Sequence, residues 1–361
     1  MARRLRTENE NRQHRVVVPP NSIGLAWPPR YDAHNQRIIG SYPLIVDTIP
    51  SALKLAQEID RALQSKVSRL TVRAIFEVPF GIHAHPRLDE YWDMVNAFNR
   101  RLNAINQRAR IEASVPFGCY IDPYCRNFNV IYVGCNSLER RATETIRDAE
   151  IVDIERISRK FGPTTASAAY PRLKWEGIVT EQLRYPTADD ISRILWLYRR
   201  AFQKYHFPIN EESVETIVKH SIITLVARNR LKEIVALLVA EHANLPLGCA
   251  DINLIKLGEA VTDRKYRKLD REDTLVNLLT VLYHKMSELL RKRYSQNGTV
   301  IYSETRAPWG PVNIATRSAG FEYCGMLSQH CTIVSDRSPE MQCGGKMRYN
   351  GNLEDFAVWV H

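Results

Sequence analysis

Apolar residues recur along this chain with two periods, and the switch between them marks out the elements. Leu254, Leu257, Ala260 and Val261 fall in a strand-like run over 253–263. Leu275, Val276, Leu278, Leu279, Leu282, Met286, Leu289 and Leu290 then return at offsets of three and four, the spacing of an amphipathic helix. A short charged turn, 270–275, joins the two. A strand that runs tightly into a helix can hold phosphate, because the helix start offers unpaired N–H donors and a partial positive charge. A phosphate cradle wants glycines, however, and this turn holds Arg271, Glu272, Asp273 and Thr274. Taken alone it reads better as an ordinary helix start, with Asp270 as N-cap and Asp273 at N3.

Upstream, residues 1–40 show no regular period, and Pro19, Pro20, Pro28 and Pro29 break it further. Strands are predicted at 42–48, 70–78, 111–115 and 127–133, with helices at 51–63 and 88–105, an order that gives a small α/β domain. Residues 136–160 are charged and helical in pattern. From 175 the pattern predicts a strand at 178–185. A capping box of Thr187 and Asp190 then opens a helix through Ile191, Ile194, Leu195, Tyr198 and Phe202. Asn210 caps a shorter helix with Val214, Ile217 and Val218 inward, and strands at 222–227 and 234–241 flank a turn at Asn229 and Arg230. Beyond the long helix come a strand at 300–304, a helix at 311–318 and strands at 321–334 and 356–360. The expected fold is α/β with a mixed sheet. It comprises a basic irregular arm over 1–40, a small α/β domain over 41–136, a helical linker over 137–174 and a second domain over 175–361.

With 361 residues, 44% of them hydrophobic, the chain can bury sizeable cores and is expected to form two domains. No apolar run approaches membrane-spanning length, and the basic start lacks the apolar centre of a secretory signal. Seven cysteines at 119, 125, 135, 249, 324, 331 and 343 form no paired metal spacing and read as reduced thiols of a cytoplasmic protein. His83 and His85 lack a third ligand of clear spacing, so no metal is expected. Fifty Lys and Arg against 40 Asp and Glu give +10 and a pI near 9.3, which favours an anionic partner. A nucleotide-bearing cofactor, an acidic acyl carrier protein and nucleic acid all fit. The mixed basic and polar stretches 227–232 and 291–298 allow nucleic acid, but a solvated face explains them as well.

The element order of the second region resembles the GNAT N-acyltransferase superfamily. The segments LYRRAFQKYHFPI (197–209), GEAVTD (258–263), YSETRAPWGPVN (302–313), AGFEYCGMLSQHCTI (319–333) and LEDFAVWV (353–360) resemble those of beta-lysine N-acetyltransferases. ARIEASVPFGCYI (109–121) and NFNVIYV (127–133) extend the likeness forward. The resemblance implies a GNAT-like domain after a smaller GNAT-like or α/β domain. It also implies acetyl-CoA or another acyl thioester as donor and an amine of a small amino-acid-like acceptor.

In that family a strand ending in Thr–Asp enters an Arg-Gly-x-Gly-Leu turn that holds the donor's pyrophosphate. Here Val261, Thr262 and Asp263 end the strand, and Arg271 and Leu275 match the turn. Glu272 and Thr274 stand at its glycine positions, with Asp273 between them. Two adjacent acids would each repel a solvated pyrophosphate by about 1 kcal/mol. Asn313 matches an asparagine that faces the pantetheine arm, and Gly320–Phe321 a Gly-aromatic end. Thr316 stands where the family often has an aromatic acid for the leaving thiol, and an alkyl hydroxyl is a poor general acid.

Amide formation from a thioester needs a base for the ammonium proton and donors for the oxyanion. Glu259 is the expected base, with the alternative that it is a strand glutamate paired to a cation. Backbone N–H groups over 261–263, Asp263 included, are the expected oxyanion donors. Glu241 could hold an ammonium, Arg306 a carboxylate as a fork, and Tyr205, His206 and Phe207 could wall the acceptor. Trp309 and Trp359 read as core or rim. Three functions follow: acyl transfer from a CoA thioester, acyl transfer from an acyl carrier protein, and a non-catalytic GNAT-like binding module.

Overall fold

The computed structural model describes residues 26–32, 37–46, 54, 57, 69–78, 89–105, 109–116, 127–136, 144–163, 173, 177–243, 245–247, 250–266, 278–294, 299–332, 334–335 and 353–361. In chain order its strands are β1 Ala26–Asp32, β2 Arg37–Val46, β3 Arg69–Val78, β4 Ala109–Pro116, β5 Asn127–Asn136, β6 Val179–Gln182, β7 Phe202–Lys204, β8 Ile223–Arg228, β9 Ile234–His242 and β10 Leu245–Leu247. There follow β11 Ala250–Thr262, β12 Thr299–Arg306, β13 Glu322–Thr332, β14 Val334–Ser335 and β15 Leu353–Val360. The helices are α1 Asp89–Ile105, α2 Glu144–Lys160, α3 Ala188–Ala201, α4 Glu211–His220, α5 Leu278–Arg293 and α6 Gly310–Ser318.

The fold is mixed α/β. Among the described residues one sheet of 13 strands runs β1-β2-β3-β5-β4-β13-β15-β12-β11-β9-β8-β6, with β10 beside β11. Most neighbours are antiparallel, while β2–β3 and β11–β12 are parallel. Strands from both expected domains thus lie in one sheet, joined where Gly325 of β13 pairs with Ala113 of β4. Gly325 has φ +133°, and a Cβ there would stand 2.4 Å from the Glu112 carbonyl oxygen, so only glycine permits this approach.

Two apolar clusters cover the two faces. One packs α3 and α4 through Ile191, Ile194, Tyr198, Val214 and Val218 with Leu237, Val261, Val300 and, from the front half, Ala113 and Tyr132. The other packs α2 and α5 through Ile154, Val281, Leu282 and Met286 against Leu225, Leu238, Leu257 and Trp359. The caps expected at Thr187 and Asn210 are present, while that expected at Asp270 lies outside the described residues. Asp190 N donates to Thr187 Oγ1 (3.2 Å), Thr187 N donates to Asp190 Oδ2 (3.0 Å), and Asn210 Oδ1 accepts from Ser213 N (2.8 Å).

Several expectations need correction. Residues 1–40 are not wholly irregular, since β1 and the start of β2 lie there. Pro28 and Pro29 sit in an edge strand whose register slips between Ala26 and Arg30, a place where proline is tolerated. The 136–160 segment begins as the end of β5, with the helix starting at Glu144. Of the helix expected at 51–63, only Lys54 and Gln57 are described, both helical, and the remainder lies outside the described residues, as do His83 and His85.

Candidate functional site

The site is built on a split in the sheet. Strands β11 and β12 pair in parallel from Asn253↔Thr299 only as far as Leu257↔Ser303. Beyond that point β11 follows β9 to Thr262↔Ala236, and β12 follows β15 to Arg306↔Phe356. The β11–β9 register slips between Gly258 and Val261, leaving Glu259 and Ala260 in a bulge. A bulge withdraws its extra residue from the ladder and re-aims its neighbours. Glu259 has φ +54°, one of two non-glycine residues in the left-handed region among those described; the other is Lys232, φ +62°. Such a conformation costs about 1 kcal/mol or more and persists where the surroundings enforce it.

The surroundings of Glu259 come from the α3–α4 connection. Its carboxylate lies 2.9 Å from His206 Nε2 and takes a hydrogen bond from Tyr205, while its main-chain carbonyl accepts from Tyr198 Oη at 2.6 Å. Burial pushes the carboxyl upward, but the charge and hydrogen bond of His206, then Lys256 and Tyr205, outweigh it and hold the group below the ordinary carboxylate range. It is therefore an anion at neutral pH. The rings of Tyr198, Phe202, Tyr205, His206 and Phe207 pack on one another with centroids 4.4–6.2 Å apart. Strand β7, in the same connection, pairs antiparallel with β14.

A charged cluster continues along the same strands. Lys256 Nζ lies 3.2 Å from Glu241 and 3.5 Å from Glu304, and His330 Nε2 is 3.9 Å from Glu304. Burial alone would lower the Lys256 pKa, yet Glu304, Glu241 and Glu259 raise it well above the usual lysine value. The front half contributes Tyr132, whose ring is 6.3 Å from that of Tyr302, and Arg73, which donates to the Ala243 carbonyl at 3.3 Å. Burial and Glu304 push the Tyr302 phenol up to about 12.

The expected residues thus separate into groups. Glu259, Tyr205 and Phe207 come together, and His206, expected only as wall, holds the Glu259 carboxylate. Glu241 does hold an ammonium, but it is that of Lys256. Arg306 lies over Trp309 at 4.8 Å and Phe202 at 5.7 Å, beside this group. Val261 and Thr262 are buried at the end of β11. Asp263 is not a free oxyanion donor as expected: it closes that strand with its N donating to Val235 O, its Oδ1 accepts from Lys265 N, and its Oδ2 lies 3.5 Å from Arg193.

Asn313 is fully buried, its amide nitrogen donating to the carbonyls of Arg306, Ala307 and Trp309 and its oxygen accepting from Thr305 and Trp359. It braces the wall from behind. Arg271, Glu272, Asp273, Thr274 and Leu275 lie outside the described residues. Lys256, Arg73 and Tyr132 were missed. A lysine set between Ile255 and Leu257 was the available signal for the first.

No family model and no curated protein matches the chain. Among solved structures it is similar to a GNAT superfamily phosphinothricin acetyltransferase from Sinorhizobium meliloti in complex with AcCoA, at 13% identity and TM-score 0.35, over 51% of this chain and 88% of that one. It is also similar to a ribosomal-protein-alanine N-acetyltransferase from Brucella melitensis (14%, TM-score 0.33, 51% and 98%). A third is a ribosomal-protein-S5-alanine acetyltransferase from Vibrio fischeri (12%, TM-score 0.36, 52% and 93%). Among the described residues no group of metal-ligating side chains gathers, and no helix is long and apolar enough to cross a membrane.

Proposed function

We propose that the chain is an N-acyltransferase of the GNAT type. It moves an acyl group, acetyl being the simplest, from a CoA thioester to an amine of a small amino-acid-like molecule. The observation that carries this reading is Glu259: a buried anion in a left-handed bulge at the mouth of the β11–β12 split, hydrogen-bonded to an imidazole.

The split and its bulge suit the acyl end of such a donor. An acyl carbonyl lying against the bulge meets main-chain N–H groups re-aimed from the ladder, the donors a developing oxyanion needs. The acceptor arrives as an ammonium ion and must lose a proton before attack. Glu259, its carboxylate held 2.9 Å from His206 Nε2, takes that proton directly or through water. The aromatic rings around Glu259 keep water away, and Arg306 offers a guanidinium fork to an acceptor carboxylate.

An acyl carrier protein as donor is the second reading, favoured by Glu272 and Thr274 at the glycine positions of the pyrophosphate turn. Calorimetry with CoA and acetyl-CoA, paired with thiol release in the presence of small diamines and amino acids, separates the readings. Binding with amine-dependent release supports the CoA reading. Release from an acylated carrier alone transfers the donor role to the carrier, and silence toward every thioester leaves a binding module.

A further inference from the structure

The front half of the chain reaches the split, and the scheme above gives it no task. Along β11 and β12, Leu254, Val300 and Tyr302 face the α3–α4 side of the sheet, while Ile255, Leu257 and Ile301 face the other. By the alternation of a strand, Lys256 and Glu304 share the α3–α4 side, where His206 meets Glu259. Tyr132 of β5 packs there too, its ring 6.3 Å from that of Tyr302. Arg73 of β3 is the direct ladder partner of Tyr132, so the two side chains leave the sheet on one face. Arg73 is partly exposed, and Tyr302, Tyr132 and Glu304 are the ionisable groups that act on it. Its Nη1 donates to the Ala243 carbonyl at 3.3 Å, whereas its Nε is buried with no hydrogen-bond partner. Among the described residues no carboxylate lies within ion-pair reach of it. With Nη1 spent, the edge that carries Nε is the one left to form a fork, and a cation so placed fits an anion arriving from outside. Lys256 cannot take that anion, because Glu241 and Glu304 already share its ammonium. The cluster is open to solvent, with 20% of the Lys256 side chain and 41% of that of Glu241 exposed.

We propose that Arg73 is a specificity residue: its guanidinium, with the Tyr132 phenol at its side, takes the carboxylate of an amino-acid acceptor, so that the front half completes the acceptor site. The inference rests on the acyl-transfer reading and deepens it. Arg306 keeps its place on the mouth side of Glu304, and Arg73 adds a second cation at the Tyr302 end. An acceptor without a carboxylate leaves this guanidinium desolvated and unanswered, which is how a site built around a buried donor rejects the analogue that lacks its partner.

The test assays wild type and Arg73→Gln with acetyl-CoA on lysine and ornithine, each set against the diamine that decarboxylation leaves, cadaverine or putrescine. Wild type should prefer the amino acid by about 30-fold in kcat/KM. In the variant that preference should vanish through a higher KM for the amino acid, with the diamine values within about two-fold of wild type and the Kd for acetyl-CoA unchanged. A wild type that takes no amino acid, or takes both acceptors equally well, overturns the assignment, as does a variant that keeps the preference or loses both acceptors alike. Arg73→Lys retains the charge without the fork and should recover part of the amino-acid preference; recovery equal for both acceptors points to a merely structural role and overturns it too. Failure on these arms with an active wild type touches only Arg73, whereas a wild type silent on every thioester overturns the acyl-transfer reading and this inference with it.

Discussion

The two edges of the split are built in opposite ways. On the β12 edge, Thr305, Asn313 and Trp359 form a closed set of hydrogen bonds that also ties down the carbonyls of Arg306, Ala307 and Trp309. Every one of these side chains is buried. On the β11 edge, Glu259 holds a disfavoured backbone conformation and keeps a carboxylate charged in a nearly dry setting. One edge is a brace, and its polar groups answer one another. The other stores strain and charge, which structures retain where chemistry uses them.

The contrast can be broken from either side. Asn313→Ala should strike hardest at stability, because it strands three main-chain carbonyls and two side-chain donors; a loss of about 3 kcal/mol in chemical denaturation is expected. A loss below 1 kcal/mol would mean that the β12 edge is not braced as described. Glu259→Gly should be tolerated, with unfolding free energy within about 1 kcal/mol of wild type, since glycine adopts the left-handed conformation without strain. Destabilisation beyond that range would show the carboxylate to be a structural partner, the plainer reading of this residue.

The smallest effect is one of pH. His361 donates its backbone N–H to Ile301 near the foot of β12, and burial, followed by Arg291 and His284, lowers its imidazole to about 4. The group is neutral in the fold and takes up a proton more readily when unfolded. The stability it contributes is complete above about 6.5 and drains away as pH falls toward 4. In His361→Gln, melting curves between those pH values should fall less steeply than in wild type. Glu259, held below the ordinary carboxylate range, should add its own acid loss only at the lower end.

Much of this scaffold is legible in the amino-acid sequence where local chemistry decides. Thr187 with Asp190 and Asn210 announced two helix starts, and the β3, β5 and β9 runs showed their strand character in their many apolar and β-branched residues. Pro28 and Pro29 hid β1, because edge-strand bulges accept prolines that the interior of a sheet rejects. Strands β7, β10 and β14 hold three, three and two residues, too few for a period to register.

The site was partly legible. Glu259 and the Tyr205–Phe207 stretch stood out by residue type, but the bulge did not. The only glycine in that stretch is Gly258, while the left-handed residue is Glu259, whose conformation is imposed by the partner strand and by Tyr198. Lys256 stands between two apolar residues in the sequence, and only the pairing of β9 and β12 on either side of its strand supplies its two carboxylates.

The most direct test of the central claim, that Glu259 serves the split as a base and not as a brace, is Glu259→Gln measured for both acetyl-CoA affinity and amine-dependent thiol release. The account predicts an unchanged Kd and release slowed about 100-fold or more; release at the wild-type rate would contradict it.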